Sequence, residues 1–188
     1  PILYIAGSLS PNTAYTAKVR AVGEAGPTPY SASVTSTTYA PHVESMAVSY
    51  SSVSLRGGWA QASTGNGYRL EVSLDTAFSS VISSVTADMA FTTLTVTGLS
   101  PNTTYYYHAG TLNGTGMVSY GPTYSFVTLG AVASGVAFTA VWQSSAAVSW
   151  NAVSAAENSG FIVQASSTGF DAGWQCLSAA SRRASMAW

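Results

Sequence analysis

Through the middle of the chain, apolar side chains recur at every second position. Met46, Val48 and Tyr50 alternate in a first strand. Val53, Leu55 and Trp59 share one face of a second, with Gly57 between them and Gly58 suggesting a bulge. After the turn cluster Ser63-Thr64-Gly65-Asn66-Gly67, a third strand runs through Tyr68, Leu70, Val72 and Leu74, and a shorter fourth spans Val81 to Val85. Leu94 and Val96 line a fifth, with Thr93, Thr95 and Thr97 facing out. Tyr105, Tyr107, Ala109 and Thr111 mark the sixth. A turn at Asn113-Gly114-Thr115-Gly116 leads to Tyr124 and Phe126 in the closing strand. No stretch carries a helical 3.6-residue period, so the pattern predicts an all-β chain.

The plan repeats. Leu9-Ser10-Pro11-Asn12-Thr13-Ala14-Tyr15 returns 90 residues later as Leu99-Ser100-Pro101-Asn102-Thr103-Thr104-Tyr105. Each copy reads as a tight corner: Pro sets φ, Asn tolerates a left-handed backbone and Thr can bond nearby main chain. The leucine before and the tyrosine after then drop into a core. Repetition at the length of one small domain predicts tandem modules. Residues 1–39 open with a short strand from Leu3 to Ala6. Beyond the corner, Tyr15, Ala17, Val19 and Ala21 alternate with polar positions, and Tyr30 to Tyr39 reads as a final edge strand. They give the C-terminal half of a module. Ala40-Pro41 breaks the chain, and 40–128 form a complete module. Residues 129–188 restart the plan: Ala146, Val148 and Trp150 parallel Val53, Leu55 and Trp59, and Phe161, Val163 and Ala165 parallel Tyr68, Leu70 and Val72. The tail Ser166 to Phe170 continues the parallel. Cys176 to Trp188, with its arginine pair, has no counterpart, so this segment is an N-terminal half.

Seven short strands, a tryptophan on the second, an aromatic opening the third and a Leu-x-Pro-x-Thr-x-Tyr corner before the sixth resemble fibronectin type III domains. The matching residues are Trp59, Tyr68, Leu99, Pro101 and Tyr105 in the middle, Leu9, Pro11 and Tyr15 before it, and Trp150 and Phe161 after it. The resemblance implies immunoglobulin-like β-sandwiches, one complete and two partial, in which these ten residues are structural core. The Ser/Thr-rich, charge-poor style is similar to that of bacterial surface repeats.

Composition narrows the function. Charged residues make up 7% of the 188, against roughly 25% in an average soluble protein, and the net charge is -1. Such a surface lacks the repulsion that keeps proteins apart, which suits self-association or glycan cover. Six Lys and Arg, with only Arg182 and Arg183 adjacent, cannot track a nucleic-acid backbone. No apolar run approaches the ~20 residues of a membrane-spanning helix. With no initiator Met and no basic-then-apolar leader, any secretion signal is expected to be absent or removed. The single cysteine forms no internal disulfide framework.

Candidate chemistry is sparse. His42 lies in a linker and His108 points outward from the sixth strand, with no nucleophile or carboxylate in a recognisable pattern near either. Both read as solvated, and no catalytic residue is assigned. Acidic residues are scattered singly, so no metal site and no cofactor is implied. Asn102-Thr103-Thr104 and Asn113-Gly114-Thr115 fit the N-glycosylation pattern, with Asn113 in an exposed loop and Asn102 already explained by the turn. No Arg-Gly-Asp occurs. Tyr106, Trp142 and Trp174 read as aromatics packed at an interface, or as exposed platforms for sugars.

Either partial module alone leaves an apolar face and open strand edges. The chain is therefore either a window from a longer array or a subunit whose C-terminal half-module is completed by the next subunit's N-terminal half. The latter contact is heterologous and propagates as a filament. The expectation is a non-enzymatic structural protein of an extracellular or cell-surface fibre or array. Its expected partners are identical subunits or neighbouring repeats, with glycans a further class. The alternative is a carbohydrate-associated spacer or accessory module of a larger secreted enzyme or adhesin.

Overall fold

The computed structural model describes residues 6–154 and 156–164. The described residues contain strands and no helix. The first segment holds β1 (Ala14–Ala17), the two-residue β2 (Val22–Gly23) and β3 (Gly26–Pro27), and β4 (Val34–Thr37). β1 pairs antiparallel with β4, Tyr15 opposite Ser36, and β2 pairs with β3. The expected strands are thus shorter here. Val19, Val22 and Val34 stand 71, 79 and 69% exposed, because no second sheet covers this face among the described residues.

The middle segment is a two-sheet sandwich. β5 (Ala47–Tyr50), β6 (Ser54–Gly58) and β9 (Thr93–Thr97) form one antiparallel sheet in the order β5-β6-β9. β7 (Tyr68–Ser73), β8 (Val81–Thr86), β10 (Thr104–Leu112), β11 (Val118–Tyr120) and β12 (Tyr124–Val127) form the other. β10 is the spine of that sheet. β7 lies along one edge of it, with β12 and β11 successively along the other edge. Leu55 and Val96 from the first sheet meet Tyr68, Leu70, Val72, Tyr105, Tyr107, Ala109 and Phe126 from the second, all buried. Alternation put each of these residues on an inward face, and two half-apolar sheets bury both faces only against each other.

Two glycines make close approaches possible. A Cβ at Gly57 would sit 2.9 Å from Met46 Sδ, so its bare backbone makes room for the methionine, with the Trp59 ring in ordinary contact at 3.5 Å. A Cβ at Gly121 would collide with the Val43 carbonyl. This close approach lets the linker residue Val43 join the core at 5% exposure. The expected bulge at Gly58 is absent: β6 pairs in continuous register with both neighbours, Gly57 with Val48 and Leu94, Gly58 with Ala47 and Thr93. Trp59 turns inward just beyond the strand, its backbone N–H donating to the Thr92 carbonyl at 3.0 Å. Leu74, expected on the inward face of the third strand, lies past the end of β7 and is 65% exposed. The chain there leaves the sheet for the Asp75 turn, where one carboxylate oxygen accepts from the Ala77 and Ser79 N–H groups at 2.9 and 3.2 Å.

The third segment holds β13 (Ala137–Val141) paired with β14 (Ala146–Ser149), with a register shift between Phe138 and Ala140. Its aromatic pair repeats that of the middle module. Trp150 and Phe161 rings lie 5.1 Å apart at 52°, Trp59 and Tyr68 rings 5.3 Å apart at 62°. Both Trp150 and Phe161 are half-buried, against full burial of the middle pair, and Phe161 to Gln164 form no strand. The expectations for residues 1–5, Ala165, Ser166 to Phe170, Trp174 and Cys176 to Trp188 fall outside the described residues.

Candidate functional site

The repeated corner is the feature with the most built geometry, and the two copies agree bond for bond. Proline starts the turn and Asn closes it in the left-handed region, φ 48° at Asn12 and 46° at Asn102. The tyrosine hydroxyl then reaches back to accept from a backbone N–H: Tyr15 from Ser10 at 2.8 Å, Tyr105 from Ser100 at 3.0 Å. This is the tyrosine corner of sandwich folds. Thr13 and Thr103 hydroxyls donate to the Pro11 and Pro101 carbonyls at 2.9 and 2.8 Å.

A second threonine, not signalled by the sequence pattern, ties the corner to the closing strand. Thr38 Oγ1 donates to the Ser10 carbonyl at 2.7 Å and accepts from Thr13 N at 3.0 Å. Thr128 repeats this with Ser100 at 2.7 Å and Thr103 at 2.9 Å. Asn12 N donates to Tyr39 O at 3.1 Å, and Asn102 N to Leu129 O at 3.0 Å. Five backbone or hydroxyl bonds thus lock each corner at the point where its module meets the next segment. Burial differs between the copies. Leu99 and Tyr105 are 4 and 5% exposed, whereas Leu9 is 44% exposed, Tyr15 half-buried and Pro11 exposed. The expected core role of Leu9 and Pro11 is corrected on this point, since no described residues cover them.

A second cluster lies on the outer face of the larger sheet. His108 on β10 pairs across the ladder with Glu71 on β7, and its Nε2 stands 3.1 Å from Glu71 Oε2. Arg69 Nη1 holds the other carboxylate oxygen at 3.4 Å. The imidazole is sandwiched between Phe78 at 3.7 Å and Tyr120 at 4.0 Å. Burial, then the hydrogen bond to the Glu71 carboxylate, pushes the Tyr120 phenol up to about 12. His108 was expected to be solvated. It does point outward, but the two rings cover it to 9% exposure. Glu71 is its only hydrogen-bond partner among the described residues, so the pair braces two central strands and has no nucleophile to activate.

Asn113 also differs from expectation. It is 1% exposed, not accessible: its Oδ1 accepts from Thr115 N and Met117 N at 3.0 and 2.9 Å, and its amide donates to Thr37 and Thr38 carbonyls of the preceding segment. Asn102 is half-buried. His42 lies 4.0 Å from Glu44 on the surface, and Trp142 is 59% exposed. Among the described residues no group of three or more His, Cys, Asp or Glu could hold a metal ion, and no helix is long and apolar enough to cross a membrane.

No family model matches the chain, and no curated protein matches it. Among solved structures it is similar to fibronectin type III domains. The chicken CNTN1 FN1-FN3 domains share 22% identity at a TM-score of 0.41, over 67% of this chain and 44% of that one, so the match spans less than half of that structure. The fn3 domain of human contactin 1 shares 17% at 0.45, over 52% and 86%. An FN3 domain of human collagen XX shares 18% at 0.39, over 46% and 88%. The β-sandwich assignment stands on the strand order and the corner described above.

Proposed function

We propose that this chain is a non-enzymatic structural protein of an extracellular or cell-surface array, built from sandwiches in series. The observation that carries the reading is the bond-for-bond recurrence of the corner at a 90-residue spacing. Function in such a chain is geometric: stiff modules set a distance. The low charge supports close packing of neighbours, because little repulsion opposes it. In the finer form of the proposal, subunits join head to tail, the first segment of one completing the third segment of another. Supporting this is an open apolar groove of about 450 Å³ on the third segment, lined by Val136, Phe138, Val148, Trp150, Phe161 and Val163. The first segment leaves Leu9, Val19 and Val34 exposed as complementary apolar surface.

The test is sedimentation of the purified chain across a concentration series, with negative-stain imaging of the same samples. Growth into linear species, abolished by Trp150→Glu or by Leu9→Glu alone, is expected. Folded monomers persisting at the highest concentration would overturn the head-to-tail form.

A further inference from the structure

The corner asparagine has a backbone role that glycine could fill. Its side chain, however, does something more at both copies. Asn12 Nδ2 donates to Asn66 Oδ1 at 3.0 Å and to Thr64 Oγ1 at 3.3 Å, while its Oδ1 accepts from Gly114 N at 2.8 Å. All three partners belong to the following module, in the loops after β6 and β10. Asn102 Nδ2 donates to the Ala156 carbonyl at 3.1 Å, and its Oδ1 accepts from Ser159 Oγ at 3.4 Å. Those partners lie in the loop after β14, which corresponds to the loop after β6. In each case the amide donates to the loop between the second and third strands of the next module; its oxygen accepts from the same loop at Asn102 and from the loop after β10 at Asn12.

The surrounding contacts differ for a stated reason. At the second copy, Ala131 N in the linker donates to Glu157 O at 2.9 Å, and Asn158 Nδ2 returns a bond to Ala131 O at 3.2 Å. The position 90 residues earlier is Pro41, which has no N–H to give. There the buried Asn113 supplies the extra bonds, donating to Thr37 and Thr38 carbonyls at 3.3 and 3.2 Å.

We propose that Asn12 and Asn102 are the joints between consecutive modules, each clamping the loop between the second and third strands of the module that follows and so fixing the two at one relative orientation. The partner is a sandwich of the same kind presenting small polar residues and free main-chain groups in that loop. Glycine would satisfy φ but offer no amide, and aspartate would accept but not donate. Only asparagine meets both demands. Without such clamps, modules in series move relative to each other, the default for small polar interfaces.

The proposal rests on the tandem-module reading but not on self-association, so the experiment uses the full chain as a dilute monomer. With Cys176 replaced by serine, nitroxide pairs are placed at exposed Thr35 and Thr95 for the first joint and at Thr95 and Thr139 for the second. Distances are read by double electron–electron resonance. Narrow distributions are expected for the parent chain. Asn12→Gly is expected to broaden the first distribution by roughly twofold and spare the second, with Asn102→Gly doing the converse. Asn12→Asp and Asn102→Asp should behave like the glycine variants, while hydrogen exchange in β7 and β10 stays unchanged, showing intact modules. Broad distributions in the parent chain, or distributions unmoved by glycine, would overturn the joint. A chain that never assembles yet shows narrow, Asn-dependent distributions rejects head-to-tail joining and keeps the joint.

Discussion

Removing one oxygen from Tyr105 tests the corner most directly. In Tyr105→Phe the ring remains against Phe126, 6.0 Å between centroids, and no cavity is opened. What is lost is the acceptor 3.0 Å from Ser100 N, in a part-buried setting. An average intramolecular hydrogen bond contributes about 0.5–1.5 kcal/mol, and leaving a buried donor without a partner costs about 1–3. Ser100 itself is exposed, so water recovers part of the loss and the expected cost is about 1–2 kcal/mol. For a module of this size that lowers the melting temperature by about 4–8 °C per kcal/mol. Tyr15→Phe breaks the same bond at 2.8 Å, but at an exposed site, so its cost is expected at about 0.5 kcal/mol or less. The assay is native-state hydrogen exchange, with the amides of β7 reporting opening of the middle module and those of β1 and β4 reporting the first. Equal costs at the two corners, or a Tyr105→Phe cost below about 0.3 kcal/mol, would refute burial as the source of the difference.

Trp59→Ala is expected to cost the middle module about 3–5 kcal/mol by urea denaturation, since the ring is 8% exposed and packs on Tyr68. Trp59→Phe should recover most of that, because it also removes an indole N–H that is buried without a partner among the described residues. Glu71→Gln is expected to destabilise by about 1–3 kcal/mol in the same assay, since Arg69 and His108 both lose a charged acceptor at a 7% exposed position. At alkaline pH the Tyr120 phenol, raised from 10 to about 12, ionises first in the unfolded chain, so the native state binds more protons and stability falls as pH climbs from 10 to 12. Tyr107 shifts in the same direction through burial and then its neighbour Tyr124, so Tyr120→Phe should shrink the slope of stability against pH without abolishing it; an unchanged slope would count against the assignment.

What could be read in advance follows the range of the interaction. Alternation at period two placed Leu55, Tyr68, Leu70, Val72, Val96, Tyr105 and Tyr107 inward because each strand's facing depends only on its own residues. The corner was legible for the same reason: proline, asparagine and tyrosine act within seven positions. Leu74 and the supposed bulge at Gly58 were misread because a strand's end and its register depend on partners, here the Asp75 turn and the neighbours β5 and β9. His108 and Glu71 lie 37 residues apart, and only the β7–β10 register sets them opposite each other. Its facing was read correctly. Its burial was not, since Phe78 arrives from the loop after β7 and Tyr120 from β11.

Asn113 shows the limit one level higher. Within its own module, Asn-Gly-Thr reads as an exposed hairpin turn, and its Oδ1 does organise that turn through Thr115 and Met117. The burial comes from the module before it, whose Thr37 and Thr38 carbonyls take the amide protons. Thr38 is also the residue that locks the first corner through Ser10 and Thr13. A single threonine thus links the corner of one module, through its carbonyl, to the turn of the next. At the first joint the corner of one module is thus coupled to the loop of the next. Asn113→Asp keeps the oxygen that holds the turn and removes the donors to Thr37 and Thr38, so it is expected to broaden the Thr35–Thr95 distance distribution while hydrogen-exchange protection in β7 and β10 stays near the parent's, which separates mechanical stiffness from module stability within one chain.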